Sequence, residues 1–132
     1  MIHSSTLLRR ALLADAVFSG IGALVMTLDA GVFASLLELP EALLRETGLF
    51  LIAYTALVGW LATRPSVPKA LIMLVVAGNA AWTLASFALP LSGAVSPNVF
   101  GEIVVIAQAI ATGIFAELQY TGLRRSPGVV TA

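Results

Sequence analysis

Four long apolar segments, separated by short polar stretches that contain proline, limit what this chain can fold into. The four helices that we predict from them cover residues 7–37, 40–64, 67–91 and 97–122. Each contains about the 17–25 apolar residues that a helix needs to cross the hydrocarbon of a bilayer. Pro40, Pro68 and Pro97 lie at the starts of the last three, where the missing N–H of proline is not needed.

The connections between these segments are short, so we expect consecutive helices to be antiparallel neighbours. The sequence therefore predicts an all-α fold, an integral-membrane up-down-up-down four-helix transmembrane bundle over residues 1–125. Residues 126–132 contain proline and glycine without periodicity, and we expect a disordered cytoplasmic tail there.

The composition supports a membrane protein and excludes several classes of site. Charged residues make up 11% of the 132 residues, against roughly 25% in soluble domains. The net charge is zero, and no basic stripe predicts binding to nucleic acid. The chain has no cysteine and a single histidine, His3. Disulfides, thiolate sites, haem and structural zinc are therefore not expected, and no cofactor is predicted.

The basic residues predict the orientation of the bundle. With four membrane crossings, six of them fall on one side: Arg9, Arg10, Arg64, Lys69, Arg124 and Arg125. Only Arg45 falls on the other side. By the positive-inside rule, both termini are expected in the cytoplasm.

Two carboxylates lie near the cytoplasmic ends of their helices. Asp15 is ~8 Å along the helix from Arg10, and Glu117 is ~10 Å before Arg124. We expect both to be solvated or paired with the nearby arginines, close to the membrane interface. The alternative is a shared, cytoplasm-facing proton site, if the first and fourth helices touch.

The deepest polar side chains are neutral. Asn79 is ~15 Å from Lys69, near the midplane, with Trp82 on the same face. Gln108 has a similar depth in the last helix. Amides at this depth usually form hydrogen bonds between helices, and this is the interpretation that we favour. A ligand pocket with Asn79, Trp82, Tyr54 and Gln108 as its polar points is the alternative.

The sequence contains few residues that could act as catalytic groups. Asp15 and Asp29 are ~21 Å apart along one helix, too far for a proton-sharing aspartyl pair. No nucleophile–base pair or metal cluster can be assembled, so we do not expect an enzyme.

Several stretches carry a resemblance to a known group of proteins. They are LLADAVFSG (12–20), GLFLIAY (48–54), GNAAW (78–82) and AELQYTGLRR (116–125). Together they resemble an uncharacterised family of short bacterial four-helix integral membrane proteins, and in size and helix count the chain is also similar to small DoxX-like proteins. The resemblance implies a bacterial inner-membrane location and assigns no catalytic residue.

The function that we expect is therefore non-enzymatic. Small residues recur at four-residue spacing on every helix, which allows close packing within a bundle or a homodimer. We expect an accessory or binding protein, whose partner is a second copy, another membrane protein or a lipid-like ligand. The alternative is a small proton-coupled exporter or channel that uses Asp15.

Overall fold

The structure, a computed structural model, describes residues 1–128, which form five helices and two very short strands. The helices are α1 (Thr6–Leu28), α2 (Ala30–Leu37), α3 (Glu41–Thr63), α4 (Lys69–Leu91) and α5 (Val99–Arg124), and the strands are β1 (Ile2–His3) and β2 (Ser66–Val67). All helices except α2 are long and apolar enough to cross a membrane. The predictions of a helical fold and of four membrane-length helices are thus confirmed.

The first predicted helix, 7–37, is in fact two helices. Asp29 has a non-helical backbone (φ −122°, ψ 31°) and separates α1 from α2. A single helix over 7–37 would be ~45 Å long, whereas α1 alone is ~33 Å, close to the thickness of a bilayer core. After the break, α2 packs against α3 and α5.

The long helices do not all pack against one another. α1 lies against α3 and α5, and α4 lies against α5. α3 and α4 follow each other in the chain, yet they are not closely packed together. Buried side chains of both helices, such as Leu61 and Ile72, belong to one apolar core, but a cleft opens between the two helices.

α1 and α5 approach each other most closely near the start of α1. A Cβ atom added at Gly122 would lie 2.6 Å from the backbone nitrogen of Leu8. The Ser5 hydroxyl donates a hydrogen bond to the Gly122 carbonyl oxygen at 2.8 Å. Only glycine allows two helix backbones to come this close, and the contact positions the last turns of α5 beside α1.

The N-terminus, the α3–α4 connection and the residues after α5 meet at one end of the molecule. β1 pairs antiparallel with β2, and the backbone N–H of His3 donates to the Pro127 carbonyl oxygen at 2.8 Å. Ser126 Oγ accepts a hydrogen bond from the Ser5 N–H at 2.9 Å. The predicted disordered tail, 126–132, therefore begins with residues that have defined contacts, whereas 129–132 lie outside the described residues.

Candidate functional site

Asp15 is completely buried, and its carboxylate accepts four hydrogen bonds. The donors are Ser19 Oγ to Oδ1 at 2.9 Å, and Tyr54 Oη at 2.7 Å, Gln119 Nε2 at 2.7 Å and Asn79 Nδ2 at 2.9 Å to Oδ2. We call these five residues the Asp15 cluster. Hydrogen bonds to a charged acceptor are about twice as strong as neutral ones, so the four donors replace much of the hydration that burial removes.

Every long helix contributes to this cluster. Ser19 is one turn after Asp15 on α1, and Tyr54, Asn79 and Gln119 come from α3, α4 and α5 respectively. The second Asn79 Nδ2 hydrogen bond goes to Gln119 Oε1 at 2.9 Å. Tyr54 of α3 and Asn79 of α4 are thus connected to each other through Asp15.

The partners of Asp15 are all neutral donors. In these four hydrogen bonds the carboxylate oxygens act only as acceptors. Within residues 1–128, the ion pair of the structure is the exposed one between Arg45 and Glu41, and Arg9 and Arg10 are exposed. The carboxylate is therefore held by dipoles, without a cation at hydrogen-bonding distance.

Asp15 is neither solvated nor paired with an arginine within residues 1–128, so that expectation is wrong. α1 begins at Thr6, so Arg10 is itself inside the helix and Asp15 lies nine residues after its first residue. In the structure Asp15 lies level with Asn79, ten residues into α4 and ~15 Å from its start. Asp15 therefore forms buried hydrogen bonds with neutral side chains in place of an ion pair with arginine.

The structure does not bring Glu117 to Asp15, as the alternative of a shared proton site requires. Glu117 is exposed, and the α5 residue that reaches Asp15 is Gln119. Two residues correspond to ~200° around a helix, so Gln119 and Glu117 point in opposite directions. The buried face of α5 contains Ala109, Thr112, Ala116, Gln119 and Leu123. Sequence reasoning missed Gln119 because it weighed depth alone, although this helical spacing was available as a signal.

A second polar group links α4 to α5. Trp82 Nε1 donates to Gln108 Oε1 at 2.8 Å, and Gln108 Nε2 donates to Ser86 Oγ at 2.8 Å and to the Val105 carbonyl oxygen at 2.9 Å. We call Trp82, Ser86 and Gln108 the Gln108 cluster. Its amide forms the type of interhelical hydrogen bond that was expected of it.

A cavity of about 650 Å³ occupies the cleft between α3 and α4. We call it the α3–α4 cleft. Its walls are mostly apolar, and its back is formed by α1 and α5. Tyr54, Asn79, Trp82 and Gln108, the four polar points of the predicted pocket, all line it. Across the cleft, the Phe50 ring is nearly parallel to that of Trp82, with 6.2 Å between centroids.

Asp15 lies behind the wall of this cleft. Ser19, Tyr54 and Asn79 line the cleft, whereas Asp15 and Gln119 do not. Three of the four donors to the carboxylate therefore separate it from the cavity. Among residues 1–128, no group of three or more His, Asp or Glu side chains is placed to hold a metal ion.

Comparison of the chain with protein families, with curated proteins and with solved structures found no match. The function is therefore argued from the geometry of the cleft and the clusters beside it.

Proposed function

We propose that this chain is a multi-pass protein of the bacterial inner membrane that binds a lipid-like molecule in the α3–α4 cleft, without catalysing a reaction. Both termini are placed in the cytoplasm. The basic residues support this orientation, because the N-terminal segment, the α3–α4 connection and the end of α5 meet at one end. That end carries six of the seven basic residues.

The outer surface supports membrane insertion. Large apolar side chains are exposed along the long helices, including Leu28 (75%), Leu84 (71%) and Leu91 (87%). Exposed apolar surface on this scale is unfavourable in water, whereas lipid chains solvate it. The helices also satisfy their own backbone hydrogen bonds, as a membrane-spanning segment must.

The α3–α4 cleft is the observation that carries the binding proposal. Its volume of about 650 Å³ falls within the roughly 300–1,000 Å³ typical of small-molecule pockets. Its walls are apolar, with polar groups at the Asp15 cluster and at the Gln108 cluster. An apolar cavity with a few fixed polar points suits a molecule with an apolar body and one polar group. The gap between α3 and α4 gives such a molecule a lateral route from the bilayer.

Native mass spectrometry of the protein released from mild detergent tests this proposal. Gly78 lines the cleft, and a Cβ atom added there would meet no atom within 4 Å, so Gly78→Leu fills the cavity. Ala80 is exposed and does not line the cleft, so Ala80→Leu is the matched control. We expect a small bound mass on the wild type and on Ala80→Leu, and its loss from Gly78→Leu.

The other outcomes of this experiment are equally informative. Bare wild-type protein would reject a tightly held ligand. Retention of the same bound mass by Gly78→Leu would place the ligand outside the cleft. A dimer mass that persists in both variants would support self-association at another surface.

The burial of Asp15 without a cationic neighbour favours a second candidate, a small proton-coupled exporter or channel. Intramembrane carboxylates commonly mark proton pathways. Here the carboxylate would have to release its donors and face the two sides of the membrane in turn. Proton flux into vesicles that contain the purified protein measures this directly. Equal flux for the wild type and Asp15→Asn would rule Asp15 out as the proton site.

A further inference from the structure

The hydrogen-bonding groups on the wall of the cleft limit the chemical class of ligand that it can bind. We infer that the α3–α4 cleft selects an amphiphile whose polar group donates hydrogen bonds and carries a positive charge, such as a long-chain primary ammonium. The cleft then discriminates against acids. This inference rests on the proposed binding function.

At the Asp15 end, the polar hydrogens of the cleft wall are already used. The hydroxyls of Ser19 and Tyr54 both donate to Asp15. The two Asn79 Nδ2 hydrogens donate to Asp15 and to Gln119. The buried carboxylate therefore turns these donors away from the cavity.

At the Gln108 end of the cleft, the polar hydrogens are also already used in hydrogen bonds within the protein. The Trp82 N–H donates to Gln108, and the two Gln108 Nε2 hydrogens go to Ser86 and to the Val105 carbonyl oxygen. The Thr112 hydroxyl donates to the Ala109 carbonyl oxygen at 3.0 Å. The polar side chains that line the cleft thus have no hydrogen left for a ligand within the described chain.

Acceptor atoms, by contrast, remain available. Asn79 Oδ1 accepts no hydrogen bond within residues 1–128. Asn79 is one of the residues that line the cleft, and we assign this oxygen as an acceptor for the ligand. The oxygens of Ser19 and Tyr54 each keep lone pairs. A ligand that donates can bind these oxygens, and one that only accepts cannot.

The charge of Asp15 acts in the same direction. Its carboxylate has no cation at hydrogen-bonding distance and lies directly behind the wall of the cleft. In a medium of low dielectric constant, the ionised form of this carboxylate projects a negative potential into the cavity. The faces of Phe50, Tyr54 and Trp82, which line the cleft, also attract cations. An ammonium group meets both the acceptors and the potential, whereas a carboxylate or phosphate is repelled by both.

Four probes with the same alkyl chain separate charge from donor capacity. Dodecylamine has both, dodecyltrimethylammonium has charge alone, dodecanol has a donor alone, and dodecanoate has neither. The chain has two tryptophans, so Trp60→Phe leaves Trp82 as the reporter in the cleft. Emission from this variant is titrated in nanodiscs of neutral phosphatidylcholine. Trp82→Phe, which keeps the exposed Trp60, measures non-specific partitioning into the bilayer.

We expect dodecylamine to bind tightest, dodecanoate weakest and the other two between them, with at least about a tenfold difference between the extremes. Dodecanoate binding as tightly as dodecylamine would overturn the inferred selectivity while leaving cleft binding intact. Equal binding of all four probes would do the same, because the alkyl chain alone would then explain occupancy. No response of Trp82 to any probe would instead reject the binding function itself.

Two variants test which atoms confer the preference. Tyr54→Phe removes one acceptor from the cleft and leaves Asp15 with three donors. We expect it to weaken dodecylamine binding by about threefold to tenfold and to leave dodecanoate binding unchanged. Asp15→Asn removes the charge, and we expect it to bring dodecylamine close to dodecanol. An unchanged preference in folded Tyr54→Phe would contradict the assignment of these acceptors, even if Asp15→Asn does not fold.

Discussion

The Asp15 cluster and the Gln108 cluster are both built from polar side chains between helices, but they connect different numbers of helices. The Gln108 cluster joins α4 to α5, which are already packed together. The Asp15 cluster joins all four long helices, including α3 and α4, which are not closely packed. The difference follows from the carboxyl group at its centre, whose two oxygens accept four hydrogen bonds.

The Gln108 amide is satisfied by partners on α4 and on its own helix. A buried carboxylate has two oxygens with about four acceptor positions and a large desolvation penalty. One neighbouring helix cannot fill those positions, so donors must converge from several helices. The Asp15 carboxylate therefore links all four long helices, whereas the Gln108 amide links one pair.

The largest effect is expected from removal of that carboxylate. Asp15→Ala leaves four donors without an acceptor, and we expect it to lower the free energy of unfolding by about 4 kcal/mol. SDS titration followed by circular dichroism measures this quantity. Asp29→Ala is the matched control, because Asp29 is an exposed aspartate whose side chain makes no capping hydrogen bond. Similar losses in the two variants would contradict the central role of the cluster.

An intermediate effect is expected from the α5 member of the Asp15 cluster. Gln119→Leu removes a donor to Asp15 and an acceptor for Asn79, and should lower the free energy of unfolding by about 2 kcal/mol. The same titration applied to Glu117→Leu should show little change, because Glu117 is exposed. A larger loss for Glu117→Leu than for Gln119→Leu would show that α5 is rotated from the orientation described.

The smallest effect is expected in the Gln108 cluster. Gln108→Leu leaves the Trp82 N–H without its acceptor, but α4 and α5 retain the Thr83–Thr112 hydrogen bond at 2.8 Å. We expect a loss of about 1 kcal/mol in the same titration. A loss equal to that of Asp15→Ala would remove the distinction between the two clusters.

Some features of the fold can be predicted from the sequence and others cannot. The number of long helices follows from the length and spacing of the apolar runs, and prolines locate three of the starts. The break at Asp29 is harder to predict, because apolar residues continue on both sides of it. Its position depends on the contacts that α2 makes with α3 and α5, which the local sequence does not contain.

The candidate site was predicted only in part. The sequence singled out Tyr54, Asn79, Trp82 and Gln108, and the structure places all four on one cavity. Asp15 was singled out with the wrong surroundings, and Gln119 was missed. Depth along a helix can be counted from the sequence, but the direction of a side chain relative to its neighbours depends on how the helices pack.

The sequence by itself determined that the chain forms four membrane-length helices, and it placed the basic residues at their ends. Hydrophobicity and proline positions are properties of each segment, so they act before any two helices meet. Only the tertiary structure decided that Asp15 is buried, that Gln119 replaces Glu117 as its partner and that a cleft separates α3 from α4. Those outcomes depend on the rotation and separation of helices, which in turn depend on close contacts such as the one between Gly122 and Leu8.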